Sequence, residues 1–187
     1  MNERAFRDAA TPAIEAAAEM IRIGTSPRPA LWPITNGRKR GVVVAPADRP
    51  DDVGRWLALM GTFAVAFRAD ALLFLTDGFV RPLGADETLD VRPREDPQAH
   101  EAILTFYADV DGEISADVEY HRGDRGEITF VDPKVRQDPV GRIVETLRAI
   151  LEVDPVAIGV ADLEPSVVAF ALSLQGYEVA IYEGEDG

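Results

Sequence analysis

Between residues 101 and 131, apolar and polar positions alternate in three runs broken by turn residues, the pattern of three antiparallel strands. Ile114, Ala116, Val118 and Tyr120 interleave with Glu113, Ser115, Asp117, Glu119 and His121, so the middle strand carries an apolar face and an acidic face. Asp111-Gly112 suits a two-residue hairpin loop, and Arg122-Gly123-Asp124-Arg125-Gly126 suits a longer one. The polar face of an antiparallel sheet ordinarily meets solvent, and the acidic row is read here as a solvated face.

Elsewhere the period lengthens. Over residues 2–23, Phe6, Ala10, Ala13, Ile14, Ala17, Met20 and Ile21 recur at helical spacing, with Gly24 placed to end the helix. Its stripe is mostly alanine, which buries little area, so this helix is expected to dock weakly or to pair with another chain. Residues 25–40 contain Pro27, Pro29, Pro33 and Gly37 and read as an irregular ordered arm. Trp32 within it either anchors the arm to the core or projects toward a partner.

Residues 42–45 predict a short strand, and Pro50-Asp51-Asp52 opens a helix carrying Trp56, Leu57, Met60, Phe63, Ala64 and Phe67. Residues 71–76 predict a strand and 82–98 an exposed loop. Past the meander, Val140, Ile143, Val144, Leu147, Ile150 and Leu151 return to helical spacing. A strand over 156–160, a helix over 165–174 ended by Gly176 and a strand over 178–182 would form a closing βαβ unit, with a frayed tail beyond 183. The whole reads as an α+β fold, an antiparallel meander packed by helices and extended by a C-terminal βαβ unit. Residues 1–40 are expected to form a helix and Pro-rich arm outside a single domain over 41–187.

Charge narrows the function. The chain holds 33 acidic against 19 basic residues, a net charge of -14, which opposes contact with nucleic acid or an anionic membrane. The densest basic run, Arg38-Lys39-Arg40, reads as solvated loop, and the only lysines are Lys39 and Lys134. With no cysteine, disulfides, thiolate nucleophiles and sulfur-ligated metals are excluded. The first residues lack the basic and apolar regions of a signal peptide, and no apolar run is long enough to span a membrane, so a cytoplasmic location is the expectation.

Chemistry is thinly signposted. Asp109-Val110-Asp111-Gly112-Glu113 has the start of a calcium loop but lacks its third oxygen ligand and terminal glutamate, and a hairpin turn explains it. Asp117, Glu119 and His121 share a strand face and, with Asp109 from the neighbouring strand, could form a metal site for hydrolysis. Asp162 and Glu164, just before a helix, read as capping residues. No phosphate-cradling glycine loop, Gly-x-Ser-x-Gly turn or His-Glu-x-x-His helix occurs.

The apolar helix, the strand ALLFLTDG and the hairpin strand EAILTFYADVDG resemble parts of uncharacterised actinobacterial and actinophage proteins over residues 51–131, a resemblance that implies no activity, cofactor or site residue. The expectation is therefore a non-enzymatic interaction or assembly protein, a homo-oligomer or phage-related structural component, self-associating or binding another protein through Phe6, Ile14, Ile21 and Trp32, with no cofactor. The alternatives are the metal-assisted hydrolase using Asp109, Asp117, Glu119 and His121, and an acidic decoy of nucleic acid.

Overall fold

The computed structural model describes residues 3–47, 53–80, 96–157 and 162–182. Its elements run α1 (Glu3–Arg22), β1 (Ala30–Thr35), β2 (Arg38–Lys39), β3 (Gly41–Val44), α2 (Val53–Ala66), β4 (Ala71–Val80), β5 (His100–Asp109), β6 (Gly112–Arg122), β7 (Ile128–Phe130), β8 (Lys134–Gln137), α3 (Arg142–Leu151), α4 (Pro165–Ser173) and β9 (Glu178–Ile181). The nine strands form one sheet in the order β7-β6-β5-β4-β1-β3-β9, with β2 beside β1 and β8 beside β6. Every described pairing is antiparallel. The fold is α+β, a strand meander packed by helices.

Each sheet face has its own core. On one side α1 lays Phe6, Ala10, Ala13, Ala17 and Ile21 over Leu73, Leu75, Ile103, Tyr107, Ile114 and Tyr120. On the other, Trp56, Leu57, Met60 and Phe63 of α2, Leu147 of α3 and Val168 and Leu172 of α4 cover Leu31, Val43, Leu72 and Phe74. The alanine stripe lets α1 sit close on the sheet, and its end is set as the sequence predicts. Gly24, at φ 82, donates to Ile21, while Thr25 donates to Met20, the paired bonds that close a helix on a left-handed glycine.

The arm over 25–40 is corrected. Half of it is strand, β1 and β2 together, and β1 is an interior strand that pairs with β4 on one side and with β3 and β2 on the other, so a boundary at residue 40 would cut through the sheet. Pro33 is tolerated because its peptide faces the gap between β3 and β2. The Ile34 carbonyl accepts Asp70 N–H on the β4 side, while the Pro33 carbonyl accepts Arg40 N–H on the other, so the missing donor costs no ladder bond to β4. Asn36 and Gly37, at φ 53 and 75, turn the β1–β2 hairpin, and Asn36 N–H donates to Asp70 Oδ2 at 2.7 Å.

Strand β8 falls where no element was expected. Residues 155–157 form a turn in place of the start of a strand, and 158–160 lie outside the described residues. The chain's closing strand, β9, pairs antiparallel with β3. The expected helix opening at Pro50-Asp51-Asp52, most of the loop over 82–98 and the tail beyond 183 also lie outside the described residues.

Candidate functional site

The row expected to be a solvated acidic face is buried. Glu113, Ser115, Asp117 and Glu119 are 5%, 6%, 3% and 8% exposed. Three cations account for the three carboxylates. Strand β8 lies against β6 with Lys134 opposite Asp117 and Arg136 opposite Ser115. From there Lys134 Nζ binds Glu119 Oε1, and Arg136 reaches Asp117 Oδ1 at 2.9 Å. Arg148 comes down from α3 to Glu113 Oε1 at 2.6 Å. A buried carboxylate persists only when matched in this way.

The match is not uniform. Hydrogen bonding by Lys134 holds the Glu119 carboxyl below the usual carboxylate range, against the opposing effect of burial. Asp117 goes the other way. Burial pushes its carboxyl up despite Arg136 and Lys134, and its Oδ2 is enclosed without a hydrogen-bond partner. A residue that is matched through one oxygen and stranded at the other is a structural compromise. With their cations occupied and their side chains covered, these acids do not present the open negative surface that imitation of nucleic acid requires.

The metal set does not converge. Tyr107 and Ile114 stand opposite each other under α1, so Asp109 shares that face, whereas Asp117 and Glu119 lie by alternation on the opposite face with Glu113. Asp109 Oδ1 accepts the N–H groups of Asp111 and Gly112 at 2.8 and 3.1 Å, which ties it to the hairpin turn. His121 lies nine positions along β6 from Gly112, about 30 Å away at strand rise. There it stacks edge-on against His100, with ring centroids 6.0 Å apart. Among the described residues no group of three or more His, Asp or Glu side chains could hold a metal ion.

A second polar cluster, not anticipated from sequence, lies on the α1 face at the same end of the sheet. Tyr120 O–H donates to Asp77 Oδ1 at 2.9 Å, and Arg122 Nε donates to Glu101 Oε2 at 3.0 Å. Burial raises the Asp77 carboxyl, and burial with the Asp77 bond raises the Tyr120 hydroxyl. Every group here already has a partner within the chain, which is the arrangement of a structural network. Its sequence signal was weak because Asp77 and Tyr120 lie 43 positions apart.

Two of the four residues expected to face a partner lie in the core. Phe6 and Ile21 are 3% and 1% exposed, while Ile14 and Trp32 pack half-buried against the same cluster. Exposed apolar surface is concentrated instead on α4, where Val167, Phe170 and Leu174 are 55%, 66% and 74% exposed. Glu164 occupies the N-cap position of α4 without a side-chain capping bond. Spaced at i, i+3 and i+7, the three apolar residues form one face opposite the buried Val168 and Leu172. The helix is apolar on both sides, a composition that belongs to a helix covered on both sides. Beside it, β9 ends the sheet and among the described residues pairs with β3 alone. Tyr182 N–H donates to the carbonyl of Arg40, the residue before β3, so by alternation the peptide groups of Val179 and Ile181 face the open edge.

No helix among the described residues is long and apolar enough to cross a membrane. No family model matches the chain, nor does any curated protein or solved structure.

Proposed function

We propose that the protein is a non-enzymatic interaction protein whose partner surface is α4 with the neighbouring edge strand β9. The observation that carries this is the exposed face of Val167, Phe170 and Leu174. Covering these side chains stabilises a complex by roughly 1–2 kcal/mol each, and added main-chain pairing along β9 supplies direction.

Charge selects the partner. Asp162 and Glu164 precede α4, Glu178 on β9 is paired with Arg28, and from residue 154 onward the sequence holds no Lys, Arg or His. A second copy docking here would set like charges against each other, whereas a segment with apolar anchors and basic flanks meets both features. Nucleic acid is disfavoured by the same acidity.

A Leu/Lys amphipathic peptide of about five helical turns is a direct probe, with a Leu/Glu peptide as control. The Leu/Lys peptide is expected to bind in fluorescence anisotropy, and Phe170→Ser with Leu174→Ser to weaken it about tenfold at unchanged net charge. Affinity that ignores these substitutions would reduce the binding to bulk charge attraction and sink the proposal. A dimer in sedimentation that the same substitutions dissolve would replace the basic partner with a second copy.

A further inference from the structure

The groove between α1 and the β1–β2 hairpin is a second place where the molecule is unfinished. It is open to solvent, spans about 700 Å³ and is walled by Arg4, Ala5, Asp8 and Ala9 of α1, Ile34 of β1, Lys39 of β2 and Tyr107 of β5. That volume lies within the range typical of small-molecule sites. The charged groups on its walls are Lys39 and the facing pair Arg4 and Asp8, and the rest of the surface is mainly apolar.

The strand register splits the basic run. Lys39 stands opposite Ile34, whose side chain packs in the core under α1, so Lys39 turns to that face, while Arg38, opposite Thr35, turns to the other. The two lysines then have opposite circumstances. Lys134 is bound to Glu119. Lys39 has its Nζ 5.3 Å from the centroid of the Trp32 ring, and among the described residues no carboxylate lies within ion-pair distance of it. An aromatic face offsets only part of the cost of desolvating an ammonium. Burial accordingly holds Lys39 below the ordinary lysine value. Nearby groups do not meet the deficit. Asp8 faces Arg4 at 3.7 Å. Burial, the charge of Asp109 and a hydrogen bond to its carboxylate push the Tyr107 hydroxyl up to about 12, so at neutral pH it is uncharged and already engaged by Asp109.

We propose that this groove binds a small amphipathic monocarboxylate, its anionic end on Lys39 and its apolar body along Ala5, Ala9 and Ile34. One ammonium with no carboxylate partner among the described residues matches one negative charge. The net charge of -14 repels a ligand in proportion to its own charge, so a monoanion is penalised least. The apolar walls reward an acyl chain and give nothing to inorganic phosphate.

Because the chain has only two lysines, the test is site-resolved. The full protein is labelled with an amine-acylating reagent at about pH 8, with and without octanoate, and each site is read by mass spectrometry. Octanoate is expected to slow labelling of Lys39 about tenfold and to leave Lys134 unchanged. In calorimetry, Lys39→Met, which keeps the length of the side chain, is expected to lose octanoate affinity about tenfold with an unchanged unfolding midpoint. Octanol and inorganic phosphate are expected to bind at least about tenfold more weakly than octanoate. Equal protection of both lysines, undiminished octanoate binding by Lys39→Met, or octanol binding as well as octanoate would each overturn the proposal. The α4 substitutions do not enter this readout, so it stands or falls separately from the partner surface.

Discussion

The acidic row of β6 and the outer face of α4 invert the usual rule in opposite directions. One buries charge and the other exposes apolar side chains. Glu113, Asp117 and Glu119 are less than a tenth exposed, whereas Val167, Phe170 and Leu174 are more than half exposed. The difference lies in what the rest of the chain supplies. Strand β8 and helix α3 bring Lys134, Arg136 and Arg148 to the three acids. No described element covers the outer face of α4. An anomaly answered inside the chain is architecture, and one left unanswered is the better place to look for a partner.

The largest effect expected is from removing the answer to the acids. Lys134→Met with Arg136→Met leaves Asp117 and Glu119 buried without cations. Breaking buried pairs costs about 3–5 kcal/mol each, discounted here because both cations are half exposed, so about 3 kcal/mol in total is expected in urea unfolding. A loss below about 0.5 kcal/mol would mean that the acids are better solvated than their exposure implies.

Next is the anchorage of the other region. A methyl group on Gly41 would run into the Ala180 carbonyl and the Phe63 ring, and backbone has no room to yield. Gly41→Ala is expected to cost about 2 kcal/mol and to raise hydrogen exchange in β9 while leaving β5 and β6 protected. Uniform exchange across all three strands would show that the β9 edge is not a separable unit.

The two neighbouring acids offer a finer test through pH. Glu119 has a depressed folded pKa, so its contribution is present above the unfolded carboxylate range and is lost as pH falls through the folded value. Asp117 has a raised folded pKa. Its contribution is favourable below the unfolded value and is lost as pH rises through the folded one. Relative to the parent chain, Glu119→Gln should therefore lose stability as pH rises from about 3.5 to 7, and Asp117→Asn should gain it. Parallel slopes in urea midpoints would contradict the opposed environments of the two carboxylates.

The smallest effect is expected on α4 itself. Phe170→Ser with Leu174→Ser should change stability by within about 0.5 kcal/mol, since neither side chain is in the core. A loss of several kcal/mol would mean that the face is covered by the chain itself.

Much of the framework was legible because it is local. The alternation from Ile114 to Tyr120, the Asp111-Gly112 turn and the glycines at 24 and 176 each encode their structure within a few residues. Gly176, at φ 87, ends α4 as Gly24 ends α1. Strand β1 was legible in part. Asn36-Gly37 is a strong hairpin signal that the reading of 25–40 as an irregular arm left out, and whether Pro33 is tolerated depends on which neighbour its peptide faces. Of the candidate sites, Trp32 and the Arg38-Lys39-Arg40 run stood out in sequence, but the groove that joins Lys39 to α1 did not.

By itself the sequence determined the helices, most strands and the alternation of β6, because propensity, periodicity and turn chemistry act over one or two turns of chain. Only the tertiary structure decided which alternating face is covered and which helix face is not. An alternating strand has the same pattern whether its acids meet water or an arginine more than thirty residues away, as Glu113 meets Arg148. Burial is a property of what packs against a surface, and that partner is chosen by the whole chain.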